Sequence, residues 1–152
     1  MGIDRVKKYF SKFGMEDKII EFDKSSATVL EASEVLGIGE EYIAKTLSFI
    51  TDKPILIVMA GNVKIDNAKY RHLFKCKAKM IPMDEVESII GHEVGGVCPF
   101  AINDGVDVYL DVSLKNYDYI YPACGSSNSA IKLTIPELEK YSNYKEWIDV
   151  TK

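Results

Sequence analysis

Two apolar strand patterns, residues 44–50 and 54–60, are separated only by Thr51-Asp52-Lys53. So short a link makes them an antiparallel hairpin, because parallel neighbours need a crossover of a dozen or more residues. Around this hairpin, helix and strand patterns alternate irregularly. Residues 3–13 read as a helix with Val6, Tyr9, Phe10 and Phe13 on one face, and residues 18–22 as a short strand. Thr28 with Glu31 forms a capping box for a helix over 29–36, stopped at Gly37. Asp66 caps a helix running to Phe74, residues 78–81 read as a strand, and Pro82 opens a helix that ends at Gly91. Strand patterns follow at 106–112 and 119–123, with a turn at 114–117, and a last core strand is expected at 130–133. Thr134 and Glu137 repeat the capping box around Pro136 and start a helix to Tyr141. Short strand-to-strand links imply antiparallel neighbours. The expected class is α+β, a mixed, partly closed, barrel-like sheet surrounded by helices.

The 152 residues suit one domain spanning 1–152, and no repeat or linker-like tract divides them. The longest apolar run, residues 55–60, is far too short to cross a membrane, and residues 1–13 are charged and lack a signal-peptide core. The three cysteines, Cys76, Cys98 and Cys124, have neither an even count nor Cys-x-x-Cys spacing, so no disulfide framework or zinc site is indicated. A reducing cytoplasm is the expected setting. The net charge of −4 argues against broad nucleic-acid binding, DNA included, but the charge is segregated. Lys64, Lys69, Arg71, Lys75, Lys77 and Lys79 share a short stretch whose only acid is Asp66, whereas residues 83–118 hold Lys115 as their only Lys or Arg. Segregation of this kind can steer a polyanion onto one face; a solvated helix face would look the same.

Three segments carry chemistry. Gly95-Gly96-Val97-Cys98-Pro99-Phe100 pairs glycines, which let backbone approach a ligand closely, with a proline that stiffens the loop. Lys45-Thr46-Leu47 places a point charge at the head of a strand. Gly125-Ser126-Ser127-Asn128 is a polar turn ahead of the last core strand, rich in amide and hydroxyl donors. Together they describe a pocket for an anionic or ester-bearing ligand, built from backbone and one lysine.

Better-known motifs fail. Residues 39–46 match a P-loop except that Ala44 replaces the final glycine, two glutamates occupy the would-be phosphate cradle, and strand rather than helix follows. Gly37-Ile38-Gly39 reaches Tyr42 where a dinucleotide fingerprint needs its third glycine. His92-Glu93 begins a zincin signature, but Gly96 stands at the second histidine position. A Cys–His pair drawn from Cys98, Cys124 and His92 is the nucleophilic alternative, against which stands the use of small cysteines as apolar filling.

The order and wording of these segments resemble the YbaK/EbsC family, free-standing aminoacyl-tRNA deacylases related to the editing domain of bacterial prolyl-tRNA synthetases. The likeness runs from about Asp23 to Glu139 and includes Thr28-Val29-Leu30-Glu31-Ala32, Lys45-Thr46-Leu47, Met59-Ala60-Gly61-Asn62 and Ile131-Lys132-Leu133. The spacing from Gly95 to Pro99 matches the family's GxxxP loop. The resemblance implies trans-editing hydrolysis of a small aminoacyl ester, cysteinyl or alanyl in type, on proline tRNA. It makes Lys45 important and the Gly95-to-Pro99 loop the wall of the acyl pocket, so catalysis is expected of Lys45, Gly95 and Gly96 and substrate binding of Thr46, Val97, Cys98, Pro99 and Phe100. Gly125, Ser126, Ser127 and Asn128 join the binding set on their own donors, their wording departing from the family's Gly-Lys-rich turn. No metal, cofactor or enzyme nucleophile is implied. The partners implied are the aminoacyl-tRNA 3′ end and a synthetase; the charge segregation, and not the resemblance, makes Lys64, Lys69, Arg71 and Lys75 the expected tRNA-binding patch. One departure is that some cysteine-specific members carry an acid just before the last core strand, where this chain has Ala130. A binding module that kept the pocket but lost turnover is therefore the alternative.

Overall fold

The computed structural model describes residues 2–152 and contains five α-helices and eight strands. In chain order these are α1 (Gly2–Ser11), β1 (Ile19–Glu21), α2 (Val29–Leu36), β2 (Ile43–Ile50), β3 (Pro54–Ala60), α3 (Asn67–Phe74) and α4 (Met83–Ile90). There follow β4 (Asp107–Asp111), β5 (Tyr119–Pro122), β6 (Ser129–Ile131), β7 (Leu133–Thr134), α5 (Ile135–Ser142) and β8 (Glu146–Ile148). Six strands form a strongly curled half-barrel in the order β7-β5-β2-β3-β4-β8, and β1 pairs separately with β6. The α+β class with a mixed, partly closed sheet is as expected.

The local signals act as their chemistry requires. The amide of Glu31 donates to Thr28 Oγ1 at 3.1 Å, and Thr28 returns its own amide to Glu31 Oε1 at 3.3 Å. Thr134 and Glu137 do the same at the head of α5. Each such cap contributes about 1 kcal/mol. The hairpin forms as expected, with Lys45 opposite Met59 and Ile50 opposite Pro54. Strand β3 lies at the centre of the sheet and is buried on both faces. Its Leu56 and Val58 pack with Val6, Phe10, Val86, Ile90, Phe100 and Leu138 beneath α1, α4 and α5. Its Ile55, Ile57 and Met59 pack instead with Phe49, Tyr70 and Tyr109 beneath α3. Alternation along one strand thus supplies two cores.

Three expectations are corrected. Residues 78–81 form no strand. Only an isolated bridge joins Met80 to Phe49, with Ile81 donating its amide to the Ser48 carbonyl at 3.1 Å. The strand expected over 130–133 splits at Lys132, because Ile131 pairs with Ile19 of β1 whereas Leu133 pairs with Ile120 of β5. Strands β4 and β5 are not neighbours despite their short link. The link is a 3-10 turn, Val112–Asn116, anchored by fully buried Leu114 and by Asp111, whose carboxylate accepts the Ser113 amide at 3.0 Å. The turn carries the chain across the sheet, so β4 lies parallel to β3 and β5 parallel to β2. Strand β8 was not foreseen; it lies parallel beside β4, and the chain beyond it is tied down where Asp111 accepts the Val150 amide and the Thr151 hydroxyl.

Candidate active site

Strand β2, the start of α2, the residues flanking α4 and the ends of β5 and β6 enclose a cavity of about 280 Å³. That is near the lower end for a small-molecule site, which runs from about 300 to 1,000 Å³. Its wall is apolar through Val29, Ala32, Leu47, Ile81, Val86 and Val97, with a few polar groups set into it.

Lys45 is the one cation in the wall. Its ammonium is half-buried and donates to the carbonyl oxygens of Gly61, at 3.4 Å, and Val63. Burial lowers its pKa from the ordinary lysine value, the positive charge of Lys64 lowers it further, and Glu40 opposes the shift. The hydroxyl of Thr46 is buried in the same wall without a hydrogen-bond partner among the described residues. An unmet buried hydroxyl costs free energy unless something fills the site and pairs with it.

The glycine loop contributes through Gly95 and Val97, both in the wall. Gly95 adopts φ +91°, a conformation that suits glycine, and no backbone acceptor among the described residues takes the Gly95 or Val97 amide. Gly96 is placed differently. Its amide is given to the Glu93 carbonyl at 2.9 Å, its carbonyl accepts from Gly125 N–H at 2.9 Å, and a Cβ on it would come within 2.5 Å of the Ser126 nitrogen. Gly96 is where two loops touch.

Several expected ligand contacts support the cavity from behind. Cys98 and Phe100 are fully buried in the main core, Pro99 is buried between them, and none of the three is in the wall. Residues following Val97 turn inward because Phe100 packs edge-on against Phe10, with centroids 4.9 Å apart. Gly125, Ser126, Ser127 and Asn128 also lie outside the wall and act as a brace. The Ser127 carbonyl accepts the Ser26 amide at 2.7 Å, Asn128 Nδ2 donates to the Phe22 carbonyl at 3.0 Å, and Ser126 and Ser129 hydroxyls meet at 2.7 Å. That brace sets Ser26, Ala27 and Thr28 against the cavity, residues sequence reasoning did not assign to it. Met80, Met83, Val94, Tyr121 and Ala123 were likewise unassigned. Their types gave no signal, since apolar wall residues read as core. Ala130 does line the cavity.

The thiols are unsuited to attack. Burial pushes the Cys98 thiol up to about 12 and raises Cys124 well above the ordinary range. His92 spends Nε2 on the Phe100 carbonyl at 2.6 Å, to which Cys98 Sγ also donates at 3.8 Å, so no Cys–His pair forms. Of the basic residues, Lys69 is bound to Asp149 at 3.1 Å and to the Thr151 carbonyl at 2.9 Å. Arg71 is exposed on α3, and Lys75 ends that helix at φ +62°. Lys64 lies close enough to Lys45 to act on its charge. Among the described residues no cluster of His, Cys, Asp and Glu could hold a metal ion, and no helix is long and apolar enough to cross a membrane.

This cavity on a curled α+β sheet has clear relatives. The aminoacyl-tRNA editing domain family matches residues 23–141, and the chain belongs to that family. It is 49% identical over 154 residues to the uncharacterized protein YwhH of Bacillus subtilis (strain 168), covering 100% of this chain and 98% of that one. It is 22% identical over 128 residues to a proline–tRNA ligase of Ligilactobacillus salivarius (strain UCC118), covering 83% of this chain but 22% of the ligase. A crystal structure of a candidate trans-editing enzyme for prolyl tRNA synthetase superposes with a TM-score of 0.88 at 25% identity, over 99% of this chain and 97% of that one. Family and likeness together support a function in aminoacyl-tRNA editing.

Proposed function

We propose that this chain is a free-standing deacylase that hydrolyses the ester of a small, wrongly attached amino acid, cysteinyl or alanyl in type, on proline tRNA. The observation that carries the reading is the cavity itself: one partly desolvated lysine, one orphaned hydroxyl and two unengaged loop amides around a space sized for a small acyl group. An aminoacyl ester is already activated, so the protein needs to hold it, admit water and stabilise the oxyanion of the tetrahedral intermediate. Water adds its oxygen to the carbonyl carbon, the bond from that carbon to the ribose oxygen breaks, and a free carboxylate and ribose hydroxyl result. The Gly95 and Val97 amides are the donors for the oxyanion, and Lys45 steadies the ester or the terminal phosphate. One well-placed donor is worth about 3–4 kcal/mol in such chemistry. The neutral, buried thiols of Cys98 and Cys124 support a mechanism without an enzyme nucleophile.

The test is deacylation of a panel of mischarged tRNAs by wild type and Lys45→Met. The expected result is turnover of a small acyl-tRNA that falls roughly a hundredfold in the variant while its melting temperature holds. Full turnover in Lys45→Met would remove the lysine from the reaction. Ala130 gives the wall a methyl and, among the described residues, no carboxylate lines the cavity, which favours the second reading, a pocket that binds without turning over. Tight binding of the acyl-tRNA with no hydrolysis across the panel would establish that reading.

A further inference from the structure

Four tyrosines form a continuous row on the surface beside the cavity. In β5, Ile120 and Pro122 point into the protein, so Tyr119 and Tyr121 point to the other face and remain partly exposed. Tyr42, at the end of the 3-10 turn before β2, stacks on Tyr119 with centroids 5.3 Å apart and an interplanar angle of 15°. Tyr42 also meets Tyr117 at 5.2 Å, and Tyr119 meets Tyr121 at 6.0 Å. Tyr121 lies opposite Ile43 in the parallel register, and both residues line the cavity. The row therefore begins inside the candidate active site and leads away from it. An exposed cation completes it, for Lys132 Nζ sits 4.3 Å from the Tyr119 ring centroid.

We propose that this tyrosine row is a stacking platform for the unpaired bases that precede the acylated 3′-terminal nucleoside. The inference rests on the cavity receiving an aminoacyl ester of RNA, as above. A substrate whose acyl end occupies the cavity must bring its next nucleotides out past one wall, and Tyr121 stands in that wall. Every base presents a π-face that a tyrosine ring can stack against without reading its sequence, while a nearby ammonium meets the backbone phosphate. Lys132 supplies that ammonium: it lies on a flexible stem over Tyr119 and exchanges the ring for the phosphate as a base takes its place. An apolar peptide would gain nothing from a cation at that position, which makes RNA the better match. Strand alternation puts Tyr119 and Tyr121 on one face of β5, and Tyr117, just before the strand, joins the row through its contact with Tyr42.

The experiment compares two substrates and two probes. The substrates are an acylated adenosine and an acylated trinucleotide ending in adenosine. The probes are a fluorescent RNA tetranucleotide with the same 3′ end and its counterpart carrying abasic linkers in place of the two inner bases. Wild type is expected to bind the intact tetranucleotide about tenfold more tightly than the abasic one, and to show a similar preference in KM for the trinucleotide over the adenosine. Tyr119→Leu should bring both ratios close to one, and Tyr119→Phe, which keeps the ring, should restore them. Tyr42→Leu serves as a second variant should Tyr119→Leu fail to fold. Ratios unchanged in the leucine variants, or a wild type indifferent to abasic linkers, would overturn the platform while leaving the editing reading intact. Conversely, if no acyl substrate is hydrolysed, that reading falls, and the two tetranucleotides still decide the platform by binding alone.

Discussion

Replacing Gly96 with alanine tests whether contact between two loops shapes the cavity. A Cβ there would lie 2.5 Å from the Ser126 nitrogen, 2.6 Å from the Gly125 carbonyl carbon and 2.7 Å from the Ser126 Cα. All three are backbone atoms, so no side-chain rotation relieves the clash and one loop must move. Overpacking of this sort costs about 1–3 kcal/mol. Separation of the loops also sacrifices the hydrogen bond from Gly125 N–H to the Gly96 carbonyl, worth roughly 0.5–1.5 kcal/mol. The expected total is about 2–4 kcal/mol. In a chain of 152 residues each kcal/mol moves the melting temperature by roughly 2–4 °C, which gives a drop on the order of 5–15 °C. Gly105→Ala is the control. Gly105 has φ +86° with nothing within 4 Å of its would-be Cβ, so alanine there adds only left-handed strain, about 1–2 kcal/mol. Thermal unfolding of both variants should be paired with deacylation at a temperature where each stays folded. Gly96→Ala should lose activity as well, because Gly95 and Val97 move with the loop, and Gly105→Ala should not. If Gly96→Ala melts no lower than Gly105→Ala, the loops yield freely and the reasoning fails.

Burial lowers the His92 pKa from the ordinary 6.5, with the Phe100 carbonyl opposing and the Arg5 charge adding to the shift. As pH falls from the ordinary value toward the lowered one, the unfolded chain takes up a proton that the folded chain does not. The contribution of His92 to stability is thus full above 6.5 and declines below it. Denaturant midpoints at pH 7.5 and 5.5 should show a smaller loss in His92→Gln than in wild type; parallel losses would refute this. Arg71→Gln with Lys75→Gln should flatten the salt dependence of tRNA binding by roughly 0.7–0.9 log units per lost contact, whereas Lys69→Gln, already paired with Asp149, should change it less. A slope unaffected by the double replacement would make α3 an ordinary solvated face. Cys98→Ala and Cys124→Ala should each retain activity per folded molecule within about tenfold, and a covalent acyl-enzyme on either thiol, seen by mass, would overturn the mechanism.

What could be read from the sequence was what local chemistry determines. The capping residues Thr28, Glu31, Thr134 and Glu137 signal through bonds three residues apart, and the three-residue link of the hairpin leaves no choice of partner. What could not be read depends on distant partners. Ile131 and Leu133 look like one strand, but only the positions of β1 and β5 divide them. Residues 146–148 become strand because β4 offers an edge. The site divides the same way. Lys45, Thr46, Gly95 and Val97 could be singled out because a lone charge or paired glycines are unusual in their settings. Val29, Ala32, Met80 and Val86 could not, since a cavity wall and a core use the same side chains. Cys98 and Phe100 share the loop of Gly95 yet face the other way, a choice made by Phe10.

The burial of Cys98 and Cys124 has a consequence for life under oxidants. Peroxide and electrophiles attack the thiolate, and the two sulfurs beside the supporting loops are held as thiols and fully covered. Among the thiols, damage would fall on Cys76 instead, a half-buried residue just after α3 that contributes nothing to the cavity wall. The cavity wall meets oxidants through Met80 and Met83, which are exposed and would become polar sulfoxides there.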